Sequence, residues 1–309
     1  MNERIVFLGT PKLAADCLKG LVEGGLNIVG VVTKEDKIRG RHNKMEESDV
    51  AKMAEELSIP CFKPHRLNDD HDFLYELKPD LLLTFAYGQL ISDEILALGK
   101  YKPLNLHGSI LPKYRGAAPM QYALKNGDNK TGVSLMEMVH EMDAGDVYDV
   151  LTFPLDIEDN YTTLCDKISA CGTKLALEAL PKYFRGELTP TRQDPSKVTF
   201  TKRITKEEEH LDVNSTMDDF INHVRMLSLT PGGYLLNGDE MIKIYHVTKA
   251  NDRIEGDNGT IVLAHKKQIL LQLSDGQVNI DLLQRPGKKM MSSSDFNNGV
   301  KNFQGAVLK

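Results

Sequence analysis

The sequence predicts an α/β domain with a largely parallel sheet, followed by a small closed β-barrel. Short apolar runs alternate with amphipathic helical stretches as far as residue 184, the rhythm produced by strand–helix–strand units. Between Leu188 and Lys206 that periodicity stops, interrupted by Pro190, Asp194, Pro195, Ser196 and scattered threonines. Beyond the break the pattern becomes short strands separated by turns, on the scale of one small barrel.

Each element has its own signal. Arg4–Leu8 is an apolar run ending in Gly9-Thr10-Pro11, and Lys12–Val22 carries helical spacing. Asn27–Val32 predicts a second strand, and Asp49–Leu57 a helix on Val50, Met53, Ala54 and Leu57. Asp80–Phe85 is almost continuously apolar, as expected of a strand buried on both faces. Ala86-Tyr87-Gly88 ends it, and Ser92 is placed to cap the next helix. A strand ending at Asn105-Leu106-His107 follows, then a helix over Ala118–Lys125. Gly132–Met138 and Val147–Phe153 are spaced to form a hairpin through Ala144-Gly145, and a long helix over Thr162–Phe184 closes the unit. After the break, Met217–Met226 is helical. Met241–Val247, Gly259–Ala264, Gln268–Leu273 and Gln277–Leu283 are strands, with Asp257-Asn258-Gly259 and Ser274-Asp275-Gly276 as hairpin-type turns. The expected division is a first domain at 1–189, a linker at 190–205 and a second domain at 206–309.

At 309 residues, with 41% hydrophobic and 27% charged residues, the chain has the make-up of a soluble two-domain protein. A net charge of −6 provides no global field for nucleic acid, so any such contact must come from local patches. Cys17, Cys61, Cys165 and Cys171 form no Cys-x-x-Cys pair and read as core thiols of a reducing compartment. With no signal-like apolar N-terminus and no run near the roughly 20 apolar residues of a membrane span, the expectation is a cytoplasmic protein without membrane contact.

The densest chemistry lies in Pro103-Leu104-Asn105-Leu106-His107-Gly108-Ser109-Ile110-Leu111-Pro112. Asn105 and His107 are two apart, so on a strand they share a face, and Gly108 permits a sharp turn there. An isolated Asn-x-His suits a capped strand end equally well. Asp143, in Met142-Asp143-Ala144-Gly145-Asp146, adds a carboxylate that can orient an imidazole and stabilise positive charge on it. An asparagine amide can donate to a carbonyl oxygen that becomes negative during acyl transfer. No serine or cysteine nucleophile accompanies the three, which points to direct attack on a bound acyl group. Gly9-Thr10-Pro11 lacks a Gly-x-Gly-x-x-Gly pattern and reads as structural. His140, Asp143 and Asp146 match no metal-ligand spacing, and no metal is expected.

The run from Asn105 to Pro119 (Asn-Leu-His-Gly-Ser-Ile-Leu-Pro-Lys-Tyr-Arg-Gly-Ala-Ala-Pro) resembles the signature of the folate-dependent formyltransferases. Phe7-Leu8-Gly9-Thr10-Pro11, Ala86-Tyr87-Gly88, Asp143-Ala144-Gly145-Asp146 and Gln284-Arg285-Pro286-Gly287-Lys288-Lys289-Met290-Met291 follow in that family's order, so the resemblance covers nearly the whole chain. It implies a Rossmann-like catalytic domain and an OB-like C-terminal domain, and the Gly-Lys-Lys-Met block favours the branch that formylates methionyl-tRNA. The implied reaction carries the formyl group of 10-formyltetrahydrofolate to the α-amine of initiator methionyl-tRNA, releasing tetrahydrofolate, in a monomeric enzyme. Asn105, His107 and Asp143 would be catalytic. Ser109, Ile110, Leu111 and Pro112 would line the folate pocket. Phe85, Tyr87, Gly88 and Gly145 would lie in loops whose backbone faces the pterin. Arg39, Arg41, Lys288 and Lys289 would contact tRNA.

Some positions depart from the family pattern. The loop after the second strand keeps Arg39-Gly40-Arg41 but has Asn43 where a lysine is usual, and Glu46-Glu47 follow. Leu13 stands where the family usually has Phe, and the chain has no tryptophan. Residues 206–309 hold 12 Lys/Arg against 14 Asp/Glu, so phosphate contacts there need cations gathered on one face. An amino-sugar nucleotide as acceptor, or a folate- or RNA-binding module without turnover, are the alternative readings.

Overall fold

The computed structural model describes residues 2–39, 44–251 and 253–309, and the backbone alone at Ile38, Arg39 and Lys44. In chain order the first elements are β1 (Ile5–Gly9), α1 (Lys12–Glu23), β2 (Ile28–Val32), β3 (Lys37–Arg39), β4 (Lys44–Glu46), α2 (Asp49–Glu56), β5 (Cys61–Phe62), α3 (Asp72–Leu77) and β6 (Leu81–Phe85). They continue with α4 (Asp93–Leu96), β7 (Leu104–His107), β8 (Arg115–Gly116), α5 (Pro119–Lys125), β9 (Lys130–Glu137), β10 (Val147–Pro154), α6 (Tyr161–Phe184) and β11 (Phe200–Thr201). Two compact units emerge. One comprises Met1–Pro119, Lys130–Pro154 and Cys165–Thr201; the other comprises Met120–Asn129, Leu155–Leu164 and Lys202–Lys309.

The first unit is organised by a seven-stranded sheet in the order β10-β9-β7-β6-β1-β2-β5. β5, β2, β1, β6 and β7 run parallel, while β9 is antiparallel to both β7 and β10. β1 and β6 are buried at every residue because both sheet faces are covered, which explains their unbroken apolar sequences. Helix α1 buries Leu13, Ala14, Cys17, Leu18 and Leu21, the stripe its spacing predicts. Ser48 caps α2 by accepting from the Ala51 amide at 3.0 Å. Ser92 occupies the cap position of α4 but makes no side-chain cap bond. From β1 the chain winds outward through β2 and β5, then crosses back to β6 on the other side of β1. Open α/β sheets place their binding crevice at such a reversal.

The stretch expected to be a linker is partly built into this unit. Thr199 Oγ1 accepts from the Tyr114 amide (2.8 Å), and the Thr199 carbonyl accepts from the Arg115 amide (2.9 Å). β11 then pairs in parallel with β8, and Gln193 is buried. Residues 191–201 therefore form a strap across the segment that follows β7.

The second unit holds α7 (Met217–Leu227), β12 (Gly233–Asn237), β13 (Glu240–Lys249), β14 (Ile261–His265), β15 (Gln268–Gln272), β16 (Gln277–Gln284), β17 (Met291–Ser292) and α8 (Ser293–Gly299). Its antiparallel sheet runs β12-β13-β16-β15-β14, with β17 beside β16. Among the described residues, the expected barrel does not close by pairing one edge strand with the other. Its ends meet through the C-terminal tail, where Lys309 exchanges backbone hydrogen bonds with Leu236 of β12 at 2.7 and 2.9 Å. On the other side, Gly305 and Ala306 bond Ile261 of β14, and the Leu308 amide donates to Gly259, each at 2.8 Å. Among the described residues, no helix is long and apolar enough to cross a membrane.

Candidate active site

β6 and β7 lie side by side, with Thr84 in register with Asn105. The Thr84 hydroxyl donates to Asn105 Oδ1 at 2.7 Å. This bond fixes the amide, so its NH2 points away from Thr84 and has no protein partner among the described residues. Two residues on, His107 is buried at the end of β7. Its Nε2 lies 2.8 Å from the Tyr114 carbonyl. A carbonyl can only accept, so Nε2 carries the hydrogen and Nδ1 is the other face of the ring. Nδ1 faces Asp143 Oδ1 at 3.7 Å.

Asp143 reaches this position because the β9–β10 loop doubles back. The Met138 amide bonds the Pro103 carbonyl at the start of β7, yet five residues later Asp143 stands beside His107 at its end. Two features enforce the path. Asp143 adopts a left-handed backbone (φ 50°). Gly145 passes so close to β9 that a Cβ there would lie 1.9 Å from the Glu137 carbonyl oxygen, so only glycine fits. The Gly116 amide donates to Asp143 Oδ2 (2.8 Å), holding the carboxylate from the side opposite the histidine. Tyr114 is also left-handed (φ 63°), which turns its carbonyl toward His107.

The Ser109–Pro112 loop is shaped from beneath. Ser134 of β9 accepts from the Leu111 amide (3.1 Å) and donates to the Ser109 carbonyl (2.8 Å). Ser109 is buried, and its hydroxyl donates to the Lys113 carbonyl at 2.7 Å. Its side chain therefore sets the turn, while Leu111 is buried and Ile110 and Pro112 are partly exposed. Phe85 is buried with its ring against Gly172 of α6. Tyr87 turns into an apolar cluster with Val6, Leu8, Val32, Leu67, Leu74, Leu82 and Ile95, and its hydroxyl finds no partner among the described residues. Burial pushes its phenol above the ordinary value. The Thr10 hydroxyl donates to the Tyr87 carbonyl (3.0 Å), tying the loops after β1 and β6 together across the reversal point. What those loops expose is backbone at Ala86 and Gly88, both with positive φ.

The structure thus gathers His107 and Asp143 directly and presents Asn105 on the same strand. Lys288 and Lys289 are exposed in the second unit, and Arg285, beside them in sequence, is engaged by Glu240 at 2.7 Å. Arg39 is described only as backbone of β3, and Arg41 lies outside the described residues. Among the described residues, no three His, Cys, Asp or Glu side chains converge as metal ligands would. Sequence reasoning missed Thr84, Arg115 and Gln193. Thr84 had a signal, as the lone hydroxyl in Leu-Leu-Leu-Thr-Phe; Gln193 had none.

A sequence profile described as "Formyl transferase" matches residues 3–180, and a second, "Formyl transferase, C-terminal domain", matches residues 203–301. The chain belongs to the formyl transferase family. Methionyl-tRNA formyltransferase of Lactobacillus johnsonii is 39% identical over 298 residues, covering 96% of this chain and 95% of the relative. The Mesoplasma florum protein of the same name is 38% identical over 294 residues, covering 95% and 94%. Among solved structures, HypX from Aquifex aeolicus, crystallised with tetrahydrofolic acid, superimposes with a TM-score of 0.66 at 21% identity. That match covers 96% of this chain but 47% of HypX, so the chain spans about half the length of that protein. As a formyl transferase, the chain carries the family's N-terminal profile over β1 to α6 and its C-terminal profile over the tail-closed antiparallel sheet.

Proposed function

We propose that this formyl transferase moves the formyl group of 10-formyltetrahydrofolate to the α-amine of initiator methionyl-tRNA. The observation that carries the chemistry is the Asn105 amide, held by Thr84 with no partner for its N–H donors among the described residues. Whole-length relatives named methionyl-tRNA formyltransferase support the acceptor, and the tetrahydrofolate-bound HypX supports the folate.

The residues present suit that co-substrate. In the loops at 85–88, 109–112 and 142–145 the Phe85, Tyr87 and Leu111 side chains are buried, leaving backbone groups for a flat, hydrogen-bonding ring system. The carbonyls of Tyr87, Asp143 and Gly145 are already engaged by Thr10 and Gln193, so recognition falls to the remaining amides and carbonyls. When bound, 10-formyltetrahydrofolate supplies an electrophilic formyl carbon on a nitrogen leaving group. A carbon–nitrogen bond to the amine forms, the bond to the folate nitrogen breaks, and one proton passes from the amine to that nitrogen.

Asn105 donates to the formyl oxygen as negative charge develops on it, from an amide that need not reorganise. His107 has its Nε2–H committed to Tyr114, so its exchangeable nitrogen is Nδ1, facing Asp143. That pair receives the proton shed by the attacking amine, the carboxylate stabilising the imidazolium as it forms. No side-chain nucleophile is required, consistent with direct transfer. Arg39, Arg41, Lys288 and Lys289 supply cations for the tRNA backbone, and the protein acts as a monomer in the cytoplasm. The test is formylation assayed with charged initiator tRNA and, separately, an amino-sugar nucleotide. Formyl-methionyl-tRNA formation supports this reading; transfer to the sugar alone overturns the acceptor.

A further inference from the structure

We infer that Gln193, backed by Arg115, is a positioning residue for Asp143, an inference that rests on the formyl-transfer reading. Gln193 is a buried polar side chain in the strap that follows α6. Its Nε2 donates to the Asp143 carbonyl (2.8 Å) and the Gly145 carbonyl (2.7 Å), clamping the peptides that follow Asp143 and Gly145. Its Oε1 accepts from Arg115 Nε at 3.0 Å. These partners fix the amide in one sense: two carbonyls demand its NH2 and a guanidinium demands its oxygen. Arg115 is itself buried, and its outer nitrogen lies 3.6 Å from Glu141 Oε1 on the same loop.

The clamp has a definite task. The loop bearing Asp143 is exposed at Val139 and Met142, and Asp143 sits in a left-handed conformation that costs a non-glycine residue energy, though Asp tolerates it better than most. The Gly116 amide steers the carboxylate, but only Gln193 holds the Asp143 and Gly145 carbonyls among the described contacts. The same segment of chain places both holds, because Gly116 follows Arg115 and β11 pairs with both. Strap, clamp and carboxylate are therefore joined in one hydrogen-bonded set. Losing the clamp lets the loop relax toward ordinary backbone angles and carries Asp143 away from Nδ1 of His107.

The test is a double-mutant cycle in single-turnover formylation of methionyl-tRNA by the full chain, run across pH. Gln193→Met removes the hydrogen bonds at similar length, and Gln193→Glu keeps the volume but sets a carboxylate against two carbonyls. Each is expected to lower the rate about 100-fold, the scale of a 1 Å misplacement of a reacting group. Gln193→Glu is expected to regain activity toward low pH, where the protonated carboxyl can donate again. Adding Gln193→Met to Asp143→Asn should cause no further loss, since both act through one group. Effects that multiply, or a folded Gln193→Met within twofold of wild type, would overturn the inference. So would a failure of both variants to fold, which would make Gln193 a determinant of the fold alone. If wild type forms no formyl-methionyl-tRNA, the functional reading fails and this inference with it. An active wild type with multiplying effects removes only the role of Gln193.

Discussion

Thr84 and Asn105 show how a single hydrogen bond orients a side-chain amide. The asparagine oxygen is consumed by Thr84, so the NH2 is aimed before any ligand arrives. Asn105→Ala should lower kcat by about 10²–10³-fold, the range for removing one oxyanion donor, with KM for the folate changed far less. Steady-state kinetics with saturating acceptor would check this. Tyr87 presents the opposite case, a phenol in an apolar cluster with no partner for its hydroxyl among the described residues. Tyr87→Phe should hold or raise stability, by up to about 1 kcal/mol in urea unfolding, because the lost group was desolvated without compensation. The family motif brought Tyr87 into the expected folate site, but its ring lies in the core, leaving only its backbone near the loop surface.

At the scale of elements, the paired folding of β8 and β11 holds the site's back wall. Gly116 has φ of 115°, and a Cβ there would lie 2.2 Å from the Thr201 carbonyl oxygen. Gly116→Ala should cost at least ~1 kcal/mol and impair activity together, because the same residue's amide holds Asp143. Thermal unfolding and formylation assayed on one preparation would show both losses. Most elements were legible in the residues: the apolar run of β6, the stripe on α1 and the hairpin of β9 and β10 all lie within a residue or two of expectation. The strap was not, because Gln193, Thr199 and Thr201 bond backbone groups far away in sequence, and no local periodicity encodes that. β12 was overlooked for a related reason, since its Gly-Tyr-Leu-Leu-Asn follows a Pro-Gly turn and gains strand character only by pairing with β13. The tail's role in closing the second sheet likewise depends on partners remote in sequence. The trio Asn105, His107 and Asp143, proposed as catalytic, came from the family resemblance and not from spacing, while the contacts of Thr84 and Gln193 with it needed coordinates.

At the scale of the whole molecule, the pH dependence of stability has an identifiable source in a titrating contact of the second unit. His246 lies 3.0 Å from Asp281 and 3.5 Å from Glu158, and the Asp281 hydrogen bond raises its pKa above the ordinary 6.5. A raised folded-state pKa contributes stability that is fully present below about pH 6.5 and is lost as pH rises through the folded value. The second unit should therefore unfold at lower temperature as pH climbs above that point, a dependence that His246→Gln abolishes in calorimetry. The central claim, direct formyl transfer between two bound substrates, is tested most directly by quenched-flow single turnover with 10-formyltetrahydrofolate and methionyl-tRNA. Formyl-methionyl-tRNA and tetrahydrofolate should appear together with one rate constant, and the rate should collapse in Asn105→Ala. Release of tetrahydrofolate ahead of product, or formate in place of formyl-methionyl-tRNA, would contradict it.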